Sequence, residues 1–382
     1  MDRMAQDRPV VVGGVDAHAD AHHAAVLDAR GGLLATASFA TTRRGYAQLL
    51  EWVESFGVVE AIAVESTGSY AAGLARYLRG QLVAVVEVNQ PHAHTRRRRG
   101  KSDPVDAEMA ARCYQAGQAS AQPKQTTGIV ESIRMLRVAR GGAVKARSAA
   151  LVQLRDLIIT APDALREQLT QQAKTLRGQA ALCARLRPDT RQLACPLQAA
   201  KFALRSLARR IAELDAAIAA LDRQLKPLVA TAAPHTSQHL GISTGHAGQL
   251  LVTAGQNIQR LANGESAYAA LCGASPLPAS SGKTTRHRLN RGGDRQANRA
   301  LYLIVVCRMR CCPRTRAYVQ RRTQEGKTTL EIIRCLKRYV AREVYTSLRH
   351  DLAQLPPPQQ QASPATAILC GSPGSGTTKI RS

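Results

Sequence analysis

Residues 10–16 read Val-Val-Val-Gly-Gly-Val-Asp, a β-branched run that ends in an acid. β-Branched side chains fit the pleated, half-buried surface of a strand, so this stretch predicts a buried first strand. Two more strands are predicted behind it, at 22–28 and 33–39, and Arg30-Gly31-Gly32 is the turn that joins them. The chain is therefore expected to open with three consecutive strands in a hairpin arrangement.

Alternating helices and strands follow these three strands. Thr41 and Thr42 precede a predicted helix that runs to Trp52. The next segments are predicted as a strand at 58–64, a helix at 70–78 and a strand at 82–88. Three hairpin strands followed by two α/β units is the order in which mixed-sheet folds of the ribonuclease H type are built. We predict an α/β domain of this fold over residues 1–122.

The chain is strongly basic. Its 382 residues contain 53 Lys and Arg but only 27 Asp and Glu, which gives a formal net charge of +26. Such an imbalance indicates a polyanionic partner, either nucleic acid or an anionic membrane surface. Only 3% of the residues are aromatic, which argues against a protein that reads single strands by base stacking.

Three features bear on the cellular compartment. No run of 18 apolar residues is present, and the charged residues 1–8 are not followed by the apolar segment of a secretory signal. The nine cysteines are scattered and form no disulfide pattern, which favours a reducing environment. We therefore expect a cytoplasmic protein that binds nucleic acid, with no membrane partner.

Residues 123–230 are predicted to be helical, because Ala, Leu, Arg and Gln dominate them. Seven apolar residues step alternately by three and four positions, which predicts a coiled-coil seam. They are Leu204, Leu207, Ile211, Leu214, Ile218, Leu221 and Leu225. The partner helix is expected equally from this chain or from a second subunit. In the basic helix before them, at 133–159, Gly141-Gly142 predicts a break or kink.

Residues 231–350 are predicted as a third, mostly helical domain, and the Pro-, Gln- and Gly/Ser-rich residues 351–382 as a disordered tail. The third domain opens with a glycine-pinned turn, Gly-Ile-Ser-Thr-Gly at 241–245, which either binds a phosphate or simply joins two helices. Its helices are predicted at about 247–254, 266–272, 294–312 and 328–348.

Four carboxylates carry the strongest chemical signal. Asp16 and Glu65 end the first and fourth predicted strands, and Asp103 and Asp106 begin a helix. Strand ends meet at one edge of such a sheet, and residues three apart on a helix face the same way, so the four acids are expected to converge. Crowded acids stay ionised only with cations, and two Mg²⁺ ions would serve a phosphodiester reaction. For the pair at 103–106 alone, the alternative is helix capping with Asp103 at the N-cap.

Two basic segments are candidate nucleic-acid contacts. One directly precedes the acidic pair, and the other follows Gly282 in the third domain. The residues are Arg96, Arg97, Arg98, Arg99 and Lys101 in the first segment, and Lys283, Arg286, Arg288 and Arg291 in the second. A solvated charge run is the alternative for the first segment.

Histidines and cysteines are not expected to bind metal. Several histidines lie near the predicted acids but lack cysteine partners at zinc-ligand spacing, so strand or surface positions are favoured. They are His18, His22, His23, His92 and His94. Three cysteines one helical turn apart, Cys307, Cys311 and Cys312, are interpreted as buried small apolar residues.

Three short motifs resemble those of one known family. They are Gly-Val-Asp-Ala-His at 14–18, Val-Glu-Ser-Thr-Gly at 64–68 and Lys-Ser-Asp-Pro-Val-Asp-Ala at 101–107. They look like the DEDD motifs of the IS110-type transposases of bacterial insertion sequences, whose N-terminal domain is RuvC-like. Residues 271–299 resemble the C-terminal transposase domain of the same family.

The resemblance implies a Mg²⁺-dependent DNA recombinase that moves its own element. In the family the four acids hold the metals, and a serine attacks the DNA phosphate to form a phosphoserine link. Ser281, directly before a glycine, matches the position of that serine, and the adjacent Ser280 is the alternative. The family also implies a homo-oligomer, dimer or tetramer, with composite sites and a structured non-coding guide RNA that pairs with donor and target DNA.

Two other functions are compatible with the same residues. A RuvC-like hydrolytic nuclease would use water and two metals, with Ser281 only a turn residue. A non-enzymatic nucleic-acid-binding protein would use the acids only as helix caps and strand ends.

Overall fold

A five-stranded mixed sheet forms the N-terminal part of the chain. The computed structural model describes residues 8–65, 67–88, 102–119, 121–282 and 286–356. The strands are β1 (Val10–Ala17), β2 (Ala21–Asp28), β3 (Leu33–Ala40), β4 (Val58–Glu65) and β5 (Val85–Val88). Their order is β3-β2-β1-β4-β5, with antiparallel pairing from β1 through β3 and parallel pairing of β1 with β4 and of β4 with β5. The predicted α/β arrangement is confirmed and fits a RuvC-like domain.

Helices cover both faces of the sheet. They are α1 (Arg43–Glu54), α2 (Ala72–Gly80) and α3 (Asp103–Gln115). Thr42 caps α1, because its hydroxyl accepts from the backbone N–H of Gly45 at 3.1 Å. Val15 and Val64 share a core with α1 and α2, whereas Val12 and Ala63 pack on the side of α3. Alternate strand residues therefore face different helices, as the two-residue period of a strand requires.

Gly14 lets α3 lie directly against β1. A Cβ atom at this position would be 2.1 Å from the backbone oxygen of Ala107 and 2.9 Å from the Cβ of Ala111. The sheet-facing residues of α3 are small, and Ala107, Ala110 and Ala111 are all fully buried. Close approach brings the first turn of α3 to the end of β1.

Two long helices form the middle of the chain. They are α4 (Gly128–Ile159) and α7 (Pro196–Ala232), and the shorter α5 (Asp163–Gln172) and α6 (Leu176–Ala184) lie between them in sequence. A 3₁₀ turn, Thr190–Gln192, precedes α7. Ion pairs from Arg140 to Asp222 and from Arg147 to Asp215 show that α4 and α7 run antiparallel.

Most of the predicted coiled-coil seam packs within the chain. Leu204, Ile211, Ile218 and Leu225 are buried, and the first two share a core with Ala150 and Leu154 of α4. The alternate members of the seam are only half-buried: Leu207, Leu214 and Leu221. Of these three, Leu207 also packs against the core that α7 shares with α4. A coiled coil with a second subunit stays a prediction.

A break or a kink was predicted at Gly141-Gly142, and the break is wrong, because α4 continues through both glycines. A kink stays a prediction. Helix propensity is a weak preference that tertiary packing overrides. Here the ion pairs of Arg140 and Arg147 with α7 hold the helix on either side of the glycine pair.

The third part of the chain is a helical domain with one small hairpin. Its elements are α8 (Pro234–Gln238), α9 (Thr244–Ala254), the 3₁₀ turn Ile258–Leu261, α10 (Gly264–Leu271), β6 (Leu277–Pro278), β7 (His287–Arg288), α11 (Arg295–Cys311), α12 (Pro313–Gln324) and α13 (Thr329–Gln354). The tail predicted from residue 351 is wrong for residues 351–354, which belong to α13 and include the buried Asp351 and Leu352. Residues 357–382 lie outside the described residues. The boundaries predicted at 122 and 230 stay predictions.

The cysteines on α11 are not buried as predicted. Cys307 and Cys311 are exposed and Cys312 is half-buried. The buried face of α11 is formed by Ala297, Leu301, Ile304 and neighbours one turn away, so the cysteines fall on the other side of the helix. All eight cysteines within the described ranges are free thiols. In that same part of the chain, no helix has both the length and the apolar character needed to cross a bilayer.

Candidate active site

Asp16 and Glu65 lie at the same edge of the sheet, on neighbouring parallel strands. The register pairs Val15 of β1 with Val64 of β4, one residue before each acid. Since Val15 and Val64 face α1 and α2, strand alternation turns Asp16 and Glu65 towards α3. The charge of Glu65 contributes, after burial, to a raised pKa of the Cys113 thiol on α3, in agreement with this orientation.

The first turn of α3 brings two more acids to this edge. The N-cap is Ser102, so Asp103 and Asp106 both lie inside the helix, where the positive end of the helix dipole favours them. The expectation that Asp103 is the N-cap is therefore wrong, and its carboxylate contacts two histidines instead. Asp106 is buried with 2% exposure, and Asp103 is half-exposed.

The electrostatics of Asp16 show how close the acids are. The residue is 8% exposed, and burial raises the pKa of its carboxyl above the ordinary value. The contact with His18 opposes this rise, and the negative charges of Asp106 and Asp103 add to it. Asp16, Asp103 and Asp106 are therefore within electrostatic reach of one another, and the protein alone leaves the ionised form of Asp16 under-stabilised.

His18 and His23 belong to this cluster from the surface and strand positions predicted for them: His18 is exposed after β1, and His23 is in β2. The Nε2 atom of His18 lies 3.1 Å from Asp16 Oδ2 and 3.4 Å from Asp103 Oδ1. His23 Nε2 lies 3.3 Å from Asp103 Oδ2. One ligand atom each from Asp16, His18 and Asp103 fall within 4.8 Å of one another, a spacing that one metal ion can bridge. The signal in the sequence was the position of His18 two residues after the strand-end acid.

His22 has a different role. It is fully buried in β2 and stacks on Tyr46, with ring centroids 5.6 Å apart. Burial, aided by the charges of His18 and His23, lowers its pKa to about 4. His22 is therefore a neutral core residue, as the preference for a strand position predicted, and His92 and His94 lie outside the described residues.

Ser281 lies on the hairpin of the third domain. β6 and β7 pair through Leu277 with Arg288 and through Pro278 with His287, and the Ala279 N–H donates to the Arg286 carbonyl at 2.8 Å. Ser280 and Ser281 are exposed in the loop that follows, directly before Gly282, which has a φ of 54°. Two serine residues with exposed side chains therefore follow the paired part of the hairpin.

The predicted nucleic-acid contacts divide into two groups. Arg286, Arg288 and Arg291 are exposed on or beside the hairpin that carries Ser281. The others lie outside the described residues: Arg96, Arg97, Arg98, Arg99, Lys101 and Lys283. The predicted nucleic-acid contacts that the structure describes are therefore those near Ser281.

A second basic surface was missed in the sequence. A cleft of about 710 Å³ lies between α4, α9 and α11, and its lining includes Arg137, Arg140, Lys145 and Arg299. The glycine-pinned turn at 241–245 borders it, with Gly241 at a φ of 82° and Ser243 capping α9 through the His246 N–H. Arg137 is held there by hydrogen bonds to the Gly245 carbonyl and to Gln249. Periodicity alone gave no sign that the basic side of α4 meets this turn.

Two family models match the chain, one over the acid-bearing N-terminal part and one over the part that carries Ser281. Residues 13–161 match the family model of IS110 DEDD transposases, described as a transposase. Residues 235–320 match a second model, described as the transposase IS116/IS110/IS902 family. The first match contains all four candidate acids, the second contains Ser281, and together they span more than half of the chain. No curated protein sequence matches the chain.

Proposed function

The chain belongs to the IS110-type transposases, enzymes that bind and cut DNA, and from that premise we propose that it breaks and rejoins DNA through a phosphoserine intermediate on Ser281. The observation that carries the proposal is the meeting of Asp16, Asp103 and His18 at one sheet edge, within 4.8 Å of one another. Two further observations support a shared site: Glu65 follows Val64 in the β1–β4 register, and Asp106 is in the first turn of α3.

The donor set fits a divalent metal ion. Carboxylate oxygens are the preferred ligands of Mg²⁺ and Mn²⁺, and the raised pKa of the Asp16 carboxyl is the electrostatic condition that a bound cation would relieve. We propose that Asp16, Glu65, Asp103 and Asp106 hold two Mg²⁺ ions. The ions would supply charge stabilisation for the attacking and leaving oxygens of a phosphodiester.

The covalent step uses the exposed hydroxyl of Ser281. Its oxygen attacks the phosphorus and forms an O–P bond, while the bond from phosphorus to one deoxyribose oxygen breaks. The serine proton is lost, and the leaving deoxyribose oxygen is protonated to a hydroxyl. Rejoining reverses the step with a different deoxyribose hydroxyl as the attacking group, so the strand exchange needs no external energy source.

Arg286, Arg288 and Arg291 would hold the phosphate backbone next to this serine. All three are exposed on the same hairpin region, and Arg binds phosphate oxygens through several donors at once. The basic cleft between α4 and α11 would bind a further backbone segment.

A homo-oligomer with composite sites is part of the proposal. Ser281 is on a hairpin of the third domain, whereas the acids are on β1, β4 and α3 of the first domain. Leu214 and Leu221 on α7 are half-buried, and they support packing against a second subunit. The serine of one subunit would then meet the acids of another.

A guide RNA would explain a second property of the chain. It has a net charge of +26 but only 3% aromatic residues, so it is suited to binding backbones rather than to reading bases. In RNA-guided systems base pairing reads the sequence and the protein recognises shape and charge. We propose that a structured non-coding RNA from the element pairs with donor and target DNA. RNA that co-purifies with the protein and maps next to its gene would support this partner.

Denaturing electrophoresis with labelled DNA tests the mechanism. We expect a covalent protein–DNA adduct in the presence of Mg²⁺ that resists boiling in detergent, is lost in Ser281→Ala and remains in Ser280→Ala. An adduct lost only in Ser280→Ala would move the nucleophile by one residue. Nicked DNA without any adduct would instead establish hydrolysis by water, and the phosphoserine proposal would be wrong.

A further inference from the structure

A second group of potential metal ligands lies in the third domain, at the junction of α8 and the end of α13. His235 is in the first turn of α8, and His350 and Asp351 are adjacent in the last turns of α13. One ligand atom from each falls within 4.8 Å of the other two. The cluster takes no part in the chemistry at the sheet edge.

The position of Asp351 is fixed by α8. Its side chain is fully buried and accepts hydrogen bonds from the backbone N–H groups of His235 and Thr236, both at 3.0 Å, and from the Thr236 hydroxyl at 2.6 Å. The carboxylate is thus pre-positioned, with Oδ1 towards the histidines. His235 Nδ1 lies 2.8 Å from that oxygen.

The two imidazoles approach each other through the same nitrogen. His350 Nδ1 lies 3.1 Å from His235 Nδ1, and the ring centroids are 3.9 Å apart. A neutral imidazole has one N–H donor and one acceptor nitrogen. If His235 Nδ1 carries its proton, it donates to the Asp351 carboxylate, and the lone pair of His350 Nδ1 then has no donor of its own in this pair. If His350 Nδ1 carries the proton instead, it donates to His235 Nδ1. The lone pair of His235 Nδ1 then lies next to the negatively charged oxygen of Asp351, which is repulsive. Protons on both nitrogens bring two N–H groups together.

A single cation satisfies all three atoms at once, because each then contributes a lone pair. Separations of 2.8 and 3.1 Å between ligand atoms suit an ion that binds nitrogen and oxygen at about 2.0–2.1 Å. Two imidazoles and one carboxylate are a ligand set typical of Zn²⁺, and two nitrogen ligands out of three favour Zn²⁺ over Mg²⁺. We propose that His235, His350 and Asp351 form a Zn²⁺ site, with solvent at the fourth position.

The surroundings of His350 agree with this assignment. If Nδ1 binds the metal, Nε2 carries the proton and needs an acceptor. The side-chain amide of Gln354 lies 3.4 Å from this Nε2. The oxygen and nitrogen of an amide are exchanged by a half turn of the group, which would place the Gln354 oxygen as the acceptor.

The site would link the last turn of α13 to the start of α8, next to Ala232 and Ala233, which are fully buried at the end of α7. Zn²⁺ would therefore stabilise the packing of the end of α13 against the start of α8. Because it binds the folded chain only, it should also raise the melting temperature.

Co²⁺ absorption spectroscopy and Zn²⁺ competition test the proposal. The protein is the full chain without a histidine tag, in a His18→Ala, Asp103→Asn background that weakens metal binding at the sheet edge by removing two of the three grouped ligand atoms there. We expect intense visible bands of four-coordinate Co²⁺ at one ion per chain, displaced by Zn²⁺. In His235→Ala or His350→Ala the bands should be lost and Zn²⁺ affinity should fall by at least about 10-fold, the loss that even an outer partner of a ligand causes.

Controls separate this site from adventitious binding. His287→Ala removes an exposed histidine on β7 and should leave the bands and the Zn²⁺-induced rise in melting temperature unchanged. His350→Gln is a second variant should alanine disturb the end of α13, and Asp351 is left intact because it caps α8. Equal Zn²⁺ affinity of parent and histidine variants, or thiolate charge-transfer bands from the exposed cysteines, would overturn the proposal.

Discussion

The imidazole of His18 bridges the end of β1 to the start of α3: its Nε2 atom lies 3.4 Å from Asp103 Oδ1 while also contacting Asp16 at 3.1 Å. A strand and a helix from distant parts of the chain therefore meet through an imidazole as well as through acids. Single substitutions can therefore separate what the acids and the histidine each contribute to metal binding and to strand cleavage.

Asp16→Asn should abolish strand cleavage while the protein stays folded. Metal charge stabilisation is worth several kcal/mol, so the loss should be on the order of 100-fold or more. The melting temperature should be unchanged or higher, because the substitution removes a buried carboxylate whose pKa is already raised. A cleavage assay and a thermal melt measure both effects. Asp20→Asn, an exposed acid in the adjacent turn, is the matched control and should cleave normally.

His18→Ala should change the metal preference of the sheet-edge site. Imidazole suits transition metals better than Mg²⁺, so Mn²⁺ affinity should fall by about 10-fold and Mg²⁺ affinity by less. Electron paramagnetic resonance of free Mn²⁺, with and without competing Mg²⁺, gives both values. His23→Ala is the comparison, since His23 contacts Asp103 and meets the His18 ring edge to face, with ring centroids 5.9 Å apart. Equal losses for the two metals would show that His18 is not a ligand.

Gly14→Ala should destabilise the first domain by at least about 2 kcal/mol, as overpacking does. The added Cβ would be 2.1 Å from the Ala107 backbone oxygen, so α3 would have to move. In Gly13→Ala the added Cβ would meet side-chain atoms and no backbone, Ile62 Cγ1 at 3.2 Å and Val53 Cγ1 at 3.6 Å, so the effect should be clearly smaller. Urea denaturation midpoints compare the two variants, and similar midpoints would contradict the close packing of α3.

Acid should destabilise the protein partly through His22. Its pKa is about 4 in the folded chain and about 6.5 when unfolded, so the unfolded chain binds the proton more readily. The contribution of the neutral His22 ring to the free energy of unfolding is fully present above pH 6.5 and is lost as the pH falls towards 4. It amounts to about 3 kcal/mol. The free energy of unfolding of wild type and His22→Phe, measured over this range, should differ in slope. Parallel curves would mean that the ring is solvated.

Gly142→Ala should stabilise α4 by about 0.5–1 kcal/mol, because the position is inside a helix and has open space around a new Cβ. Gly248→Ala in α9 is the contrasting variant. There the Cβ would meet Val229 at 3.2 Å, so no gain is expected. Thermal melts distinguish the two, and a loss of stability in Gly142→Ala would show that the glycine pair is needed for another reason.

The sheet and its two strand-end acids were predictable because local pattern determines them. A β-branched run such as Val10–Val12 favours a strand, and parallel strands bring Asp16 and Glu65 to one edge whatever the rest of the chain does. The helix start at 103–106 was also predictable, although the cap is one residue earlier, at Ser102.

Features that depend on tertiary contacts were not predictable. Gly141-Gly142 weakens a helix locally, yet ion pairs with α7 keep α4 continuous. His18 lacks the cysteine neighbours of a zinc motif, so its contact with Asp103 is evident only once α3 is placed against β1. Cys307 falls on the solvent side because the register of α11 on the core is set by Leu301 and Ile304.

The two long helices have a consequence for the architecture. Val130 and Ile133 near the start of α4, and Leu225 and Val229 near the end of α7, belong to the same apolar core as α9 to α13, whereas the far ends of both helices form a separate core with α5 and α6. The C-terminal unit is thus discontinuous in sequence, and the far ends project from it as an out-and-back arm. Lengthening or shortening that arm by matched helical turns would change the reach between its tip and the serine hairpin without altering either core.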